Sequence, residues 1–343
     1  GNTMGTLSVG SLVLTNGSIL DYEFNADPTN DAVAVTTYSG LAINGGGVYL
    51  YQEGTTTAWT TPGSYNLIRF DGAIGGSGPA AMTVLNAQPG LNYAFSARAG
   101  WGVVTISIGA PVWSGGDADD DLWQSADNWG GVAPAAGERL TFGANGAVRL
   151  NNTNDYPGGT RFAGISFAGD GMYTLDGNQV NLIGSVVNGT TNIQTLNMAV
   201  ALDGISPVFD ASSGDLVVGG AISQSNGVWG LSKTGTNALI LRGSSTNTYS
   251  GVTTITGPGS LILDKTEGAT AIPGNLTIVG VGSPYTLVYA YSNNQFGAGS
   301  VVDFTGVTWG ILELLGTTQS VDGLTSAGNV SIVQNRQFGP ARG

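Results

Sequence analysis

Short strand signals that recur at a similar spacing are the feature that most constrains this fold. Beyond residue 162, the apolar centres of successive signals are separated by 21, 20, 23, 22, 26, 24 and 19 residues. These centres are Leu175, Leu196, Leu216, Leu239, Leu261, Leu287, Ile311 and Val330. A repeat of this length is typical of a solenoid, in which each turn buries its apolar face only by stacking on its neighbours. The sequence therefore predicts a β-solenoid over residues 162–343.

The composition favours strands and turns over helices. The chain of 343 residues contains 57 glycines, and 10% of its residues are charged, against roughly 25% in an average soluble protein. Thr, Ser, Asn and Val take the place of strong helix formers. A hydrophobic content of 41% is more than a disordered segment usually carries. We therefore expect an all-β chain with a substantial core.

Alternating strand signals also run through residues 1–109, which we assign to an N-terminal β module. The turn signals Asn16-Gly17 and Asn44-Gly45 separate the earliest of them. Later signals are Val33–Val35, Leu41–Ile43, Val48–Tyr51, Tyr65–Phe70, Tyr93–Phe95 and Val103–Ile108. Residues 110–161 are rich in Trp and Asp and are assigned to a junction. The predicted order is thus the module, the junction and a repeat domain over 162–343.

The stretch Asn226–Lys265 carries three landmarks in order: Lys233-Thr234-Gly235, Asn247-Thr248-Tyr249-Ser250-Gly251 and Pro258-Gly259-Ser260-Leu261. It resembles the autotransporter-associated β-strand repeat. The junction residues Trp123 to Gly131, with Pro134 and Phe142, are similar to the segment that opens a new block in that family. The resemblance implies a right-handed parallel β-helix on a bacterial cell surface, with residues 1–109 continuing or capping the helix.

Several classes of function are disfavoured by what the sequence lacks. The chain contains no histidine and no cysteine, which removes Ser-His triads, thiol nucleophiles and thiolate zinc sites. A net charge of −13 opposes binding to nucleic acid and to anionic membranes. The apolar runs are too short to span a bilayer, and we expect any signal peptide to lie outside this numbering. We therefore expect a protein that is not an enzyme and needs no cofactor, apart from a possible Ca²⁺.

Without histidine and cysteine, pairs of carboxylates remain the main option for catalysis. Some parallel β-helices hydrolyse or cleave polysaccharides. Asp21 and Glu23 would lie on one face of a strand, as glycoside hydrolysis requires of two acids. Since Tyr22 and Phe24 are expected to point inward, the simpler interpretation is that both acids face solvent. The adjacent pair Ser232 and Lys233 would project to opposite faces of a strand, which disfavours a catalytic dyad.

The junction offers two candidate sites, each with a structural alternative. Asp117, Asp119 and Asp121 have the spacing of the first half of a calcium loop, although the second half of that motif is missing. They indicate either an irregular Ca²⁺ site or a solvated acidic turn. A second group, formed by Trp113, Trp123 and Trp129, indicates a cap over the end of a solenoid, a platform for sugars or a contact with a partner protein.

The order of the modules suggests self-assembly. In the family, a module like residues 1–109 follows the strand repeats, whereas here it precedes them. We therefore predict head-to-tail contact by strand addition, between separate subunits of a filament or tandem copies in one chain. The predicted interface residues are Thr6, Leu7, Val9, Leu12, Leu14, Val330, Ile332, Val333 and Phe338. A cell-surface adhesin or glycan-binding domain is the alternative, and a polysaccharide hydrolase or lyase is a third hypothesis.

Overall fold

The computed structural model describes residues 4–25, 30–61, 63–88, 91–98, 103–109, 111–280, 285–306, 309–327 and 331–336. Strand accounts for 46% of the chain and helix for 2%. Parallel strands stack as a β-solenoid, which confirms the predicted fold class. The chain divides into two compact units, Gly1–Pro111 and Val112–Gly343.

Within its described residues, the first unit consists of short strands and one 3₁₀ turn, Pro79–Ala81. Its strands are β1 (Thr6–Val9), β2 (Leu12–Leu14), β3 (Ile19–Phe24), β4 (Ala32–Val35), β5 (Leu41–Ile43), β6 (Gly47–Gln52), β7 (Gly63–Arg69), β8 (Gly75–Gly76), β9 (Thr83–Val84), β10 (Asn92–Arg98) and β11 (Val103–Gly109). Each of three successive turns adds one strand to each of three sheets, ordered β1-β4-β7-β11-β10, β2-β5-β8 and β3-β6-β9. Pairing between these turns is parallel, whereas β11 pairs antiparallel with β7 and with β10. A hairpin therefore follows the third turn on one sheet.

The second unit is a longer stack preceded by the 3₁₀ turn Ala126–Trp129. Its strands are β12 (Leu140–Phe142), β13 (Asn151–Asn154), β14 (Thr160–Phe162), β15 (Ile165–Phe167), β16 (Thr174–Gly177), β17 (Val180–Leu182), β18 (Val186–Asn188), β19 (Gln194–Leu196), β20 (Val200–Asp203), β21 (Val208–Asp210), β22 (Leu216–Val218), β23 (Ile222–Ser225), β24 (Leu231–Thr234), β25 (Ala238–Gly243), β26 (Thr253–Thr256), β27 (Gly259–Lys265), β28 (Leu276–Gly280), β29 (Thr286–Ala290), β30 (Val301–Gly306), β31 (Gly310–Glu313), β32 (Gly323–Ser326) and β33 (Ser331–Gln334). The stretch predicted as a junction contains β12 and β13, so it already builds the first turn.

Three parallel sheets form the second unit. The first runs β12-β15-β18-β21-β24-β26-β28-β30-β32 and the second runs β13-β16-β19-β22-β25-β27-β29-β31-β33, each with nine strands among the described residues. The third, β14-β17-β20-β23, has four strands. Early turns therefore contribute a strand to all three sheets, and later turns only to the first two.

Register between turns explains the core of the second unit. Leu216, Leu239 and Leu261 pair in sequence across β22, β25 and β27, and all three are fully buried. Because equivalent positions stack on one another, inward apolar residues form continuous columns rather than isolated contacts. Burying one such side chain contributes about 1.5–3 kcal/mol. From Leu175 to Leu261, the recurrence that predicted the solenoid is thus the spacing of inward residues in these columns.

The structure corrects the orientation of two residues that served to measure the period. Leu287 and Ile311 pair with each other on the outer face, whereas Val288 and Leu312 point inward. The outer face of these turns is itself apolar, so the sequence does not show the alternation of apolar and polar residues that would identify the buried face. Choosing a marker one residue away hardly changes the measured period, but it exchanges the buried face of the strand for the outer face.

The repeat landmarks bind neighbouring turns to one another. Asn247 accepts a hydrogen bond from the backbone N–H of Ile222 at 2.8 Å and donates one to the carbonyl of Ala271 at 2.8 Å. Gly251 lies against backbone, since a Cβ there would be 2.3 Å from the carbonyl carbon of Trp229. These contacts explain why the motif requires an amide at one position and no side chain at the other.

Two lysines are fully buried in the second unit. The Nζ of Lys233 donates to the carbonyl of Gly235, two residues further along the same landmark. The Nζ of Lys265 donates to the carbonyls of Gly220 and Arg242 at 3.1 and 3.0 Å. Burial lowers the pKa of each lysine to about 8, and for Lys233 the nearby Asp210 and Asp215 oppose that effect. Both ammonium groups therefore donate hydrogen bonds to backbone carbonyls of the turns.

Candidate assembly surfaces

The first-turn end, formed by β1, β2 and β3, exposes side chains that point along the core columns. Leu7 pairs with Val33, which is 6% exposed, yet Leu7 itself is 61% exposed. Across the part of the chain that the structure describes, no strand pairs with the outer edges of β1, β2 and β3. Apart from Glu23, whose N–H and C=O bond to Asp31, the backbone groups on these edges can therefore accept a further strand.

A cavity of about 600 Å³ lies within the first-turn end, between β1, β3 and the start of β4. Tyr22 lines it and is buried, and its hydroxyl has no hydrogen-bond partner among the described atoms. Burial and the neighbouring carboxylate of Asp31 raise the pKa of Tyr22, so this hydroxyl remains a donor. Asp31 accepts hydrogen bonds from the N–H groups of Gly5 at 2.8 Å and Glu23 at 3.2 Å. The cavity thus has an acidic residue fixed in its wall, while the unpaired hydroxyl of Tyr22 is buried beside it.

The last-turn end, formed by β32 and β33, has the same character. Leu324 pairs with the fully buried Val302 but is 55% exposed, and Val333 pairs with the buried Leu312 but is 44% exposed. No described strand pairs with the free edge of β32 or β33. Side chains that continue the core columns are therefore exposed to solvent at this end too, because no further turn within the described chain covers them.

The predicted interface residues differ in how accessible they are. Thr6 is exposed, Val9, Leu12 and Ile332 are half-buried, and Leu14 is buried in the first turn. Ile332 belongs to the outer face, since it pairs with Ile311. Val330 and Phe338 lie outside the described residues. Leu324 was missed by the sequence reasoning, although it lies one repeat after Val302 and could have been found from that spacing.

The three junction tryptophans form part of the core of the second unit. Trp113, Trp123 and Trp129 are each 0% exposed, and all three rings contact Phe142 of β12, with centroids 5.9, 5.4 and 5.3 Å away. Each indole N–H is bonded: Trp113 to the carbonyl of Val148, Trp123 to the side chain of Asn152 and Trp129 to the carbonyl of Trp123. The arrangement fits a cap over the first turn, and none of the rings presents a face on which a sugar could stack.

The acidic residues beside them hold a turn. Asp117 Oδ1 accepts the N–H of Asp119 at 2.8 Å, and the backbone carbonyl of Asp117 is bound by Arg149. Hydrogen bonds from Ser125 and from the N–H of Leu122 lower the pKa of Asp120. Asp121 Oδ2 accepts from Thr153 at 3.4 Å. Throughout the described ranges, no cluster of three or more Asp and Glu side chains is arranged to hold a metal ion, and this includes Asp117, Asp119 and Asp121.

The remaining candidate groups for chemistry lie in β3 and β24. Asp21 and Glu23 lie on the outer face of β3, opposite the buried Tyr22 and Phe24, and Glu23 accepts the N–H of Gly54 at 3.2 Å. Ser232 and Lys233 project to opposite faces of β24, with only Lys233 inside.

The described helices include none with the length and apolarity needed to cross a membrane.

Comparison with protein-family models, with curated proteins and with solved structures gives no match to this chain. The resemblance to autotransporter-associated repeats therefore remains a prediction from the motif residues. The geometry above supplies its own argument for function: two ends of parallel stacks with apolar residues and strand edges exposed.

Proposed function

We propose that this protein is a non-enzymatic structural β-solenoid that joins end to end, outside a bacterial cell. The last-turn end of one copy pairs with the first-turn end of the next, either between separate subunits or between tandem copies. The observation that carries the proposal is the exposure of Leu7, Leu324 and Val333, which occupy inward positions of the core columns.

Joining the two ends gives the exposed strand edges hydrogen-bond partners and covers the exposed apolar side chains. Strand pairing supplies partners for the edge N–H and C=O groups, and stacking removes the exposed inward side chains from water. Each copy uses two different surfaces, so the contact is heterologous and propagates instead of closing as a dimer. The cavity at the first-turn end provides space for an entering side chain.

Composition supports the structural part of the proposal, and the repeat landmarks support the extracellular part. The absence of histidine and cysteine from the sequence leaves few groups for catalysis. The landmark residues of Asn226–Lys265, which resemble a repeat of bacterial surface proteins, form the contacts between turns described above. A fibre built from stacked turns needs a regular core and matching ends more than a reactive site.

The decisive experiment uses two variants, each with one end blocked by a carboxylate. Leu7→Asp blocks the first-turn end and Leu324→Asp blocks the last-turn end. Each alone should stay monomeric in analytical ultracentrifugation, whereas the parent should form long particles visible by negative-stain microscopy. An equal mixture should stop at dimers, because one intact end of each variant can pair and both remaining ends are blocked.

The exposed residues Val13 and Thr318 provide matched controls, since Val13→Asp and Thr318→Asp place the same charge away from the core columns. Both should assemble like the parent. A parent that remains monomeric at all concentrations, or Leu7→Asp and Leu324→Asp variants that both assemble fully, would contradict the proposal.

A further inference from the structure

Four aromatic rings lie together on the outer face of the second unit, at positions that the core does not use. Tyr285, Tyr289 and Tyr291 alternate with the buried residues Thr286, Val288 and Ala290 of β29, so they project outward. Trp309 immediately precedes β31, which pairs with β29. We call these four residues the aromatic platform.

The rings form two pairs in contact. Tyr285 and Trp309 have centroids 5.3 Å apart and an interplanar angle of 37°, and they remain 41% and 40% exposed. The centroids of Tyr289 and Tyr291 are 6.3 Å apart at 41°. Alternate residues of a strand are about 6.6 Å apart, so the tyrosines from 285 to 291 extend over about 20 Å. The outward residues Leu287 and Ile311 fill the space between the pairs.

The rings form a row on the outer face of the stack, and this limits the ligand. A small molecule would be held on one side only, whereas an extended chain can contact successive rings along β29. The faces of pyranose rings carry C–H groups that stack on aromatic rings, and their edges carry hydroxyls. Tyrosine hydroxyls at the platform are suitable partners for those hydroxyls. Burial raises the pKa of Tyr289, Tyr291 and Glu313 raise it further and Arg336 opposes them, so its hydroxyl remains protonated.

Charge selects among polysaccharides. None of the four platform residues carries a positive charge, and the whole chain has a net charge of −13. The charged residues beside the rings are matched in sign: Arg242 pairs in register with Asp264, and Arg336 lies 3.9 Å from Glu313, which pairs with Tyr289. The net negative charge of the chain therefore disfavours sulfated, phosphorylated and uronic acid polymers. The same argument disfavours an anionic lipid surface.

We propose that the aromatic platform binds a neutral, linear polysaccharide lying along β29. This activity is independent of end-to-end assembly, because the platform lies on the outer face of the stack and not on the turns at its ends. The sequence offered a sugar platform at Trp113, Trp123 and Trp129 as one alternative to a cap, and those rings are buried. The aromatic platform provides exposed rings in the later turns instead.

The test measures binding of the full chain to microcrystalline cellulose and chitin powder by co-sedimentation, and to hydroxyethylcellulose by affinity electrophoresis. A tube without polysaccharide corrects for protein that sediments alone. The variant Tyr285→Ala/Trp309→Ala should bind at least about tenfold more weakly than the parent to whichever of these polymers the parent binds. Tyr285→Phe/Trp309→Phe, which keeps both rings, should restore most of the binding.

Tyr38→Ala is the matched control, because Tyr38 is 73% exposed but belongs to the first unit. It should bind like the parent. The proposal is wrong if the parent binds none of the three polymers, if the double alanine variant binds as well as the parent, or if Tyr38→Ala loses as much binding. Repeating the measurement with Leu7→Asp separates sugar binding from assembly, since that variant should bind although it does not assemble.

Discussion

The indole N–H of Trp123 donates to Oδ1 of Asn152 at 2.7 Å, and both side chains are buried. Leu122, the preceding residue, forms a parallel bridge with Thr153. Asn152 and Thr153 belong to β13, in the first turn of the second unit. One tryptophan therefore attaches the preceding segment to the stack by backbone pairing, by a side-chain hydrogen bond and by ring contacts with Phe142 and Phe162.

Removing this ring should destabilise the second unit strongly. For Trp123→Ala we expect a loss of about 3–5 kcal/mol in the free energy of unfolding, because a large cavity would open against Phe142 and Phe162. Trp123→Phe keeps an aromatic ring but leaves Oδ1 of Asn152 without its donor, so a smaller loss of about 1–3 kcal/mol is expected. Urea titration followed by circular dichroism measures both. Equal losses for the two variants would show that the hydrogen bond, and not the packing, dominates.

A charge placed in a core column, in a turn away from both ends of the second unit, should destabilise the stack. Leu241 is fully buried and pairs with Val218 and Leu263 in the neighbouring turns. Leu241→Asp should cost at least about 3 kcal/mol, since it removes a packed side chain and buries an unpaired carboxylate. The exposed Thr256 provides the control, and Thr256→Asp should change stability by no more than about 0.5 kcal/mol. A Leu241→Asp variant as stable as the parent in chemical denaturation would contradict the inward placement.

The first-turn end should tolerate a charge without loss of folding. Leu7 is already exposed to solvent in the single chain, so Leu7→Asp should shift the thermal midpoint by only a few degrees at most. Its effect should appear in assembly instead, as particles that no longer lengthen with concentration in light scattering. A variant that both unfolds and fails to assemble would mean that Leu7 has a core role that its exposure does not reveal.

Stability should rise with pH between about 8 and 10 because of Lys233 and Lys265. Burial lowers the pKa of each to about 8 in the folded protein, from 10.5. In that interval the unfolded chain binds more protons than the folded chain, and the free energy of unfolding then increases with pH. Urea midpoints at pH 7 and pH 9.5 should show the increase.

The buried tyrosines set the upper limit of this rise. Burial raises the pKa of Tyr249, so the unfolded chain ionises first and stability should fall once the pH passes about 10. The variant Lys233→Met/Lys265→Met isolates the lysine effect, because every other titrating group is retained. Its midpoint should lack the increase between pH 7 and pH 9.5, and an unchanged slope would assign the pH dependence to other groups.

The strands were largely predictable because their signals are local. The segment Leu41–Ile43 is a strand with the predicted bounds, and Val33–Val35 lies within β4. Turn residues such as Gly235, with a φ of 87°, adopt a conformation that few other residues accept, so they mark where a strand ends. The recurrence of these signals was enough to predict stacked turns.

The candidate sites were less predictable because exposure depends on distant residues. Trp113, Trp123 and Trp129 are chemically suited to either a cap or a sugar platform, and burial against Phe142 distinguishes the two. Leu287 was chosen as a strand centre, yet it lies outside and Val288 inside. Nothing within the residues of β29 alone distinguishes these faces, since both are apolar.

The sequence by itself determined that this chain forms short strands, ends them at glycine-rich turns and repeats the pattern about every 22 residues. Tertiary structure decided which side of each strand is buried, which ends of the stacks remain uncovered and which aromatic rings meet solvent. The physical reason is that alternation along a strand is a local property of the backbone, whereas burial depends on contacts with turns that are a whole repeat away.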